Sequence, residues 1–582
     1  MTYKNFILVY IGLGENKKRD KKIHDDFIKK LIEHNIDDET QVIKAGAHKL
    51  CDTGTIVKVF PSNTLYKCSS REDISNIIEK HIIGGNTVSD LLYADHYREQ
   101  IRVVMRNCGI IDPEAIGEYI ARDGYAALEK VIFEMTADDV IEELKKSGIR
   151  GRGGAGFPTW KKWTFTKNVD SDMKYIICNA DEGDPGAYMD RSTLEGDPHS
   201  ILEAMTIAGH TTGASNGIIY IRAEYPLAIE RLEIAIRQAK ELGLLGDNIL
   251  GSKFNFDIEL RYGAGAFVCG EETALIASVE GKRGMPSPRP PFPAVKGLWG
   301  KPTIINNVET NANIPMIILK GGEWLASIGT EGSKGTKVFA LTGKIRNTGL
   351  AEVPMGTTLR EMIYDIGGGI NNDKAFKAIQ TGGPSGGLIP EEFMDTPIDY
   401  ENLQNLGSIM GSGGMIVMDS DDCIVDIAKF YLKFSVDESC GKCAPCRIGG
   451  RTLLNMLTKI SEGKGELSDI PQIKRVCKAM QKASLCGLGQ AAPNPVLSAL
   501  RHFEKEFKMH IEEKKCPAKK CIDLITYNIL PDKCIGCTMC ARACPVNAIS
   551  GERQKIHVID QNLCIKCGAC LKACKFGAVS CQ

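Results

Sequence analysis

Cys534-Ile-Gly-Cys537-Thr-Met-Cys540-Ala-Arg-Ala-Cys544-Pro545 returns thirty residues later as Cys564-Ile-Lys-Cys567-Gly-Ala-Cys570-Leu-Lys-Ala-Cys574-Lys575. A repeat at a fixed offset reads as two copies of one small unit. Three thiolates at two-residue gaps wrap one face of an iron–sulfur cubane, with a further cysteine three residues beyond. Zinc is the alternative for any such group, although tetrahedral zinc more often draws on two cysteine pairs.

Working outward, 17 of the 22 cysteines fall from Cys423 onward. The N-terminus, MTYKNFILVYIGLGENKK, lacks the long apolar core and small-residue cleavage site of a secretory signal, so a cytoplasmic protein is expected. Disulfides are disfavoured there, and metal ligation is the usual alternative. The doubled run resembles the bacterial two-cluster ferredoxin pattern, in which the fourth cysteine of each run ligates the other cluster. That resemblance implies one [4Fe–4S] site from Cys534, Cys537, Cys540 and Cys574 and another from Cys564, Cys567, Cys570 and Cys544. Lys575 stands where a proline is usual.

A third cluster is signalled by Cys440, Cys443 and Cys446 with Cys486 forty residues on, since three close cysteines and a remote fourth fit a cubane better than zinc. Cys477, His510, Cys516 and Cys521 form a weaker group that suits structural Zn²⁺. The alternative reading makes Cys477 a buried hydrophobe and the other three solvated linker. Cys178, Cys269 and Cys423 sit in apolar or Gly-rich contexts and read as core thiols.

At 582 residues the chain exceeds one core, and about three to five domains are expected. The 72 Lys plus Arg balance 73 Asp plus Glu, which gives no electrostatic reason to propose nucleic acid or an anionic membrane as partner. Charges interrupt every apolar run before it reaches spanning length, so no direct membrane contact is expected.

The fold expected is multidomain α/β. Residues 1–98 read as a small α/β unit, with FILVYIGL as a strand and KIHDDFIKKLIEHN as an amphipathic helix, followed by the segments VIKAG, TIVKVF and DISNIIEKHI. Residues 99–330 are Gly-rich, with strands at Lys174–Cys178 and Ile218–Ile221 leading into turns and helices, an α/β cofactor domain. Residues 331–424, with VFALTG and MIVMDS, suit a small mixed-sheet module without obvious chemistry. Residues 425–510 read as a helical cluster domain, 511–526 as a basic linker carrying the candidate zinc site, and 527–582 as the two-cluster ferredoxin domain.

Within 99–330, Gly148-Ile-Arg-Gly-Arg-Gly-Gly-Ala-Gly-Phe-Pro-Thr159 packs five glycines and two arginines into twelve residues. Such a loop lets backbone amides approach a phosphate. Its spacing is neither a Walker A loop nor a dinucleotide fingerprint. Cys178-Asn-Ala-Asp-Glu-Gly-Asp-Pro-Gly-Ala187, Tyr262-Gly-Ala-Gly-Ala-Phe-Val-Cys-Gly-Glu-Glu-Thr273 and Pro302-Thr-Ile-Ile-Asn-Asn-Val-Glu-Thr310 come next, then Glu438-Ser-Cys-Gly-Lys-Cys-Ala-Pro-Cys-Arg447. In this order the five motifs closely resemble the NADH-oxidising flavoprotein subunit of respiratory complex I and its soluble relatives in hydrogenases and formate dehydrogenases, over about residues 100–510.

The resemblance implies that FMN meets Gly151, Arg152, Gly153, Gly154, Lys162, Asn179, Asp181, Glu182, Phe267, Gly270, Glu271, Asn306 and Asn307. It implies that NAD(H) stacks on Phe157 near Phe165 and Phe292, within reach of Lys162, Asp184 and Glu272; core packing is the alternative for each Phe. Phe157, Glu182 and Glu272 would be the catalytic residues, acting by stacking and charge, because direct hydride transfer needs no general acid or base. The family often has an acid one methylene longer at Asp184 and Tyr at Phe267. Residues 1–98 resemble the thioredoxin-like [2Fe–2S] domain of hydrogenase-linked relatives, and 331–424 are taken as the β-grasp-like module of the soluble-ligand-binding type. With Ala47 where a partner of Cys51 would lie, and only Cys68 besides, residues 1–98 are read as a degenerate domain without a [2Fe–2S] cluster.

The ferredoxin tail points to the hydrogenase-type relatives. Their likeness implies a hetero-oligomer with a [2Fe–2S] thioredoxin-like subunit, an iron-hydrogenase-type or other catalytic iron–sulfur subunit, and ferredoxin, in an electron-bifurcating hydrogenase. The diaphorase subunit of an NAD(P)-dependent formate dehydrogenase or of a ferredoxin-linked transhydrogenase would share every motif. A non-enzymatic electron-carrier scaffold conflicts with the intact nucleotide-site motifs at Gly151–Phe157 and Glu271–Glu272.

Overall fold

The apolar run Asn5–Ile11 (β1) is buried on both faces: Ile7, Val9 and Ile11 enter one core and Leu8 and Tyr10 another, as a central strand requires. The computed structural model describes residues 3–11, 15–46, 54–93 and 101–581. Beside β1 lie Thr40–Gly46 (β2), parallel to it, and Thr55–Phe60 (β3), antiparallel, with Thr64–Cys68 (β4) at the outer edge of β3. Helix Glu15–Glu33 sets Ile23, Phe27 and Leu31 four residues apart on one face, against β1. Strand β4 escaped the sequence reading because its five residues follow a tight Pro61–Asn63 turn. The Ala47 and Cys51 argument lies outside the described residues, and Cys68 is a buried thiol bonded to the Ser70 carbonyl.

The chain forms two units, Met1–Asp373 with Gln380–Gly383 and Glu392–Val417, and Lys374–Ile379 with Pro384–Glu391 and Met418–Gln582. The first also holds a four-stranded, wholly parallel sheet of Tyr175–Ala180 (β5), Asn216–Arg222 (β6), Asp257–Gly263 (β7) and Thr303–Asn307 (β8), in the order β7-β6-β5-β8. Helix Pro198–Thr212 is almost wholly buried, and the hydroxyls of Thr206, Thr211 and Thr212 donate to carbonyls four residues back, which lets polar residues sit there. Strand Thr336–Gly343 pairs antiparallel with Gly349–Pro354 and parallel with Gly414–Val417.

The second unit contains helices Ile424–Asp437, Ala444–Ser461, Asp469–Ala483 and Asn494–His502, then two short hairpin-like pairings, Tyr527–Ile529 with Val579–Cys581 and Ile549–Ser550 with Val558–Ile559. Both cysteine repeats turn through left-handed backbone at matching positions. Gly536 (φ 70°) corresponds to Lys566 (φ 56°), and Thr538 (φ 67°) to Gly568 (φ 73°). Each copy spends one glycine on the two turns. Among the described residues no helix is long and apolar enough to cross a membrane.

Candidate functional site

Helix Ala137–Ser147 opens on a Thr136/Asp139 capping box and stops at Gly148, whose left-handed φ of 62° turns the chain into the Gly-rich loop. The loop closes on itself where the Gly151 amide donates to the Phe157 carbonyl at 2.9 Å, and Tyr400 Oη donates to the Gly151 carbonyl at 2.9 Å. Gly154 bridges to Gly411. Arg150 Nε donates to Gly156 O at 2.7 Å while its guanidinium lies 4.2 Å over the Tyr400 ring. Residues 331–424, read as carrying no obvious chemistry, thus wall this loop.

The Arg152 side chain is fully buried, donating to the carbonyls of Arg150 and Lys334 at 3.1 and 2.6 Å, and its amide donates to Thr310 Oγ1. It holds the loop's shape from behind.

The other expected residues converge outside the carboxyl ends of the parallel strands, where open α/β sheets bind ligands. Asn179, in β5, donates to Gly270 O at 2.9 Å. Lys162 donates to Ile305 O at 2.8 Å and pairs with Glu272. Gly153 faces Asn307, and Gly183 packs on Phe267. Asn307 caps helix Val308–Lys320 through Oδ1 and donates from Nδ2 to Asp190 at 2.5 Å. Asn306, with its amide turned to suit its neighbours, accepts from the Trp163 indole at 3.1 Å. Glu271 caps helix Glu272–Val279 by accepting the amides of Thr273 and Ala274, so one of its oxygens serves the fold.

These residues fit a flavin phosphate and ring. A Cβ on Gly151 would meet only Phe157 backbone, at 3.6 Å, and one on Gly270 only Asp181 O, at 3.5 Å, so the glycines leave a cradle that side chains would fill.

The site is strongly acidic below that cradle. Glu182 accepts the amides of Asp190 and Arg191, both at 3.1 Å, yet burial still raises its carboxyl to about 7. Burial raises Asp184 to about 6 despite a bond from Ser412 Oγ, and burial with Glu182 and Glu309 nearby raises Asp190 further. Lys337 is fully buried and paired with Glu309. Asp190, Glu309, Lys337 and Ser412 were not singled out from the sequence. Glu309 lies inside the Pro302–Thr310 motif and Asp190 three residues beyond the Cys178–Ala187 motif; Lys337 and Ser412 carry no local signal.

Phe157, Phe165 and Phe292 are 43, 51 and 56% exposed, so core packing fails for all three. Arg289 lies 6.0 Å over the Phe292 ring and 3.5 Å from Glu272.

In the second unit, Cys443 stands at the start of helix Ala444–Ser461 and Cys446 in its first turn, and Cys440 and Cys486 come to the same place. Burial raises the Cys446 thiol, and the neighbouring thiols of Cys443, Cys486 and Cys440 raise it further. A helix N-terminus favours an anionic group there. Cys534, Cys537, Cys540 and Cys574 line one small cavity, and Cys544, Cys564, Cys567 and Cys570 another. Four converging thiols suit a cubane in each place.

The His510 group needs a correction. His510, Cys516 and Cys521 do meet, but their fourth member is Cys423, all four donor atoms lying within 4.8 Å of one another. Cys477 is a core residue of helix Asp469–Ala483, and Cys423, read as a core thiol, stands at the start of helix Ile424–Asp437. His510 Nδ1 donates to Glu506 O at 2.7 Å, which turns the Nε2 lone pair toward the thiols. The amides of Lys520 and Cys521 donate to Cys516 Sγ at 3.3 and 3.5 Å. Three thiols and one imidazole, all buried, fit zinc.

Residues 144–316 match the Nuo51 FMN-binding domain, 426–510 the NADH-ubiquinone oxidoreductase-F iron–sulfur binding region, and 533–578 a 4Fe-4S dicluster domain. The chain is 59% identical over 460 residues to the NADP-reducing hydrogenase subunit HndC of Solidesulfovibrio fructosivorans, covering 79% of this chain and 94% of that one. It is 44% identical over 415 residues to an F-type subunit of the NADH-quinone oxidoreductase of Rhizobium meliloti (71% and 99% covered). A chain of an NAD+-reducing [NiFe]-hydrogenase has the same fold with a TM-score of 0.63 at 28% identity, over 88% of this chain and 85% of that one.

Proposed function

The chain belongs to the family of complex I flavoprotein subunits and their hydrogenase counterparts, oxidoreductases acting on NADH or NADPH, and from that membership we propose that it exchanges hydride with the nucleotide at FMN and passes electrons singly through three [4Fe–4S] clusters. The observation that carries this is the meeting of five separate segments around one glycine cradle at the strand ends, beside three exposed phenylalanines.

Phe157, Phe165 and Phe292 hold the planar rings of the nucleotide by stacking, which orients them at little entropic cost. The Lys162–Glu272 pair fixes the rim against β8. Asn307, oriented at both ends by Asp190 and the Thr310 amide, presents a rigid face to the flavin. Glu182 and Asp184 shape the site by charge and by the protons they retain. When bound, FMN supplies the conversion between a two-electron hydride and single electrons. Cys440, Cys443, Cys446 and Cys486 hold one cluster, and the eight tail cysteines hold two.

The chain works within a hetero-oligomer in the cytoplasm. Its partners are a [2Fe–2S] thioredoxin-like subunit, an iron-hydrogenase-type catalytic subunit and ferredoxin, in an assembly that bifurcates electrons; the tail and the likeness to HndC support this context. Zinc on Cys423, His510, Cys516 and Cys521 staples the segment ahead of the tail.

Anaerobically prepared protein should release FMN, and NADH or NADPH should bleach the bound flavin and reduce a viologen dye. Protein that holds other flavin or none, or whose flavin neither nucleotide reduces, would sink the reading. Identification of co-purifying subunits tests the hydrogenase context.

A further inference from the structure

The two segments that supply Cys440, Cys443, Cys446 and Cys486 each bring a serine beside the thiols, Ser439 directly before Cys440 and Ser484 two residues before Cys486. Four thiols already complete a cubane, so neither serine is called on as a ligand. Ser439 Oγ nevertheless lies 3.2 Å from Cys446 Sγ. It also accepts the Gly441 amide at 3.2 Å, which occupies one of its lone pairs and leaves its hydrogen for the sulfur.

Which atom donates follows from the chemistry of the pair. A hydroxyl keeps its hydrogen at any working pH, whereas a cysteine binds metal as the thiolate and can then only accept. Ser439 is therefore the donor once the cluster is in place. Ser484 is 5% exposed, and its hydroxyl is buried without a hydrogen-bond partner among the described residues. Gly489 packs between it and Cys446: a Cβ there would lie 2.9 Å from Ser484 Oγ and 3.0 Å from Cys446 Cβ. Buried hydroxyls are normally bonded, and the acceptors this place is built to hold are sulfurs.

We propose that the hydroxyls of Ser439 and Ser484 donate to the sulfurs of the cluster on Cys440, Cys443, Cys446 and Cys486, and hold its reduction potential above the value that four thiolates alone would give. The inference rests on the three-cluster reading above. A reduced cluster carries one more negative charge than an oxidised one, so a donor to its sulfurs stabilises the reduced form more. Reduction adds one electron, and no covalent bond forms or breaks. The raised potential makes this cluster a readier acceptor of the single electrons that leave FMN.

The test is a redox titration of the full chain, followed by electron paramagnetic resonance, in wild type, Ser439→Ala, Ser439→Thr and Ser484→Ala. In each Ala variant one cluster potential should fall, the same one in both, with the other two and the iron content unchanged. Ser439→Thr keeps the hydroxyl and should keep the wild-type potential. A fully loaded Ala variant with all three potentials at wild-type values would overturn the assignment for that serine, and a fall that Thr fails to restore would overturn it for Ser439. A wild type with only the two tail clusters would overturn the proposal together with the three-cluster reading. If either Ala variant loads less iron, the Thr and Val variants of that serine, alike in shape and unlike in the hydroxyl, decide by the same comparison.

Discussion

The Sγ of Cys423 lies 3.3 Å from Nε2 of His510, and the Cys521 thiol sits 3.7 Å from the first and 3.4 Å from the second. Bonds of about 2.3 Å to sulfur and about 2.0 Å to nitrogen at tetrahedral angles demand edges of this length. The thiols are therefore already at zinc spacing, from residues nearly a hundred positions apart.

Cys423→Ser should lose zinc while iron and NADH–dye activity are largely kept, and Cys477→Ser should keep both metals. Elemental analysis of the two variants side by side checks this. Zinc retained in the first, or lost in the second, would restore the assignment drawn from sequence.

Iron should amount to about twelve atoms per chain, from three cubanes of four. Eight or fewer, with full occupancy shown spectroscopically, would refute the three-cluster count.

Phe157→Ala should weaken nucleotide affinity by roughly 1–3 kcal/mol, the range of aromatic stacking contacts, and leave flavin content unchanged. Nucleotide titration against flavin absorbance measures it. An unchanged affinity would mean that the exposed ring does not stack on the nucleotide.

Asp184 makes the flavin-free chain sensitive to pH. Its carboxyl, raised from 3.8 to about 6, keeps a proton in the folded state that the unfolded chain has already released. Its contribution to stability should therefore fall as pH rises from about 4 to 6, by about 3 kcal/mol, while Glu182 extends the loss to about pH 7. Asp184→Asn should flatten this slope and be the more stable form at pH 7. Tryptophan fluorescence suits the measurement, since Trp160, Trp163, Trp299 and Trp324 all lie in the flavin-domain half of the chain.

The gathering of the tail thiols was legible in sequence because cubane ligands come at short fixed gaps, and the glycine cradle because its four motifs are local. Cys423 was not, because nothing in its neighbourhood announces a partner 87 residues on at His510; Cys477 looked equally available and points into a helix core. What holds Arg152 was not legible for a related reason: only the fold reveals that the Lys334 carbonyl, from a distant segment, accepts from its guanidinium. The Glu309–Lys337 pairing was not legible either, since Glu309 lies in a quoted motif but Lys337 has no signature and meets it only after the sheet is assembled.

The exchange of Cys544 and Cys574 between the two tail cavities should make cluster loading an all-or-none event. Neither copy of the repeat owns a complete ligand set, so a chain cut after Ser550 forfeits Cys574 from the first cavity and Cys564, Cys567 and Cys570 from the second, leaving Cys544 alone there. Under iron starvation the tail should pass from empty to doubly filled with little of the half-filled form, and a lesion at either fourth cysteine should be felt in both halves.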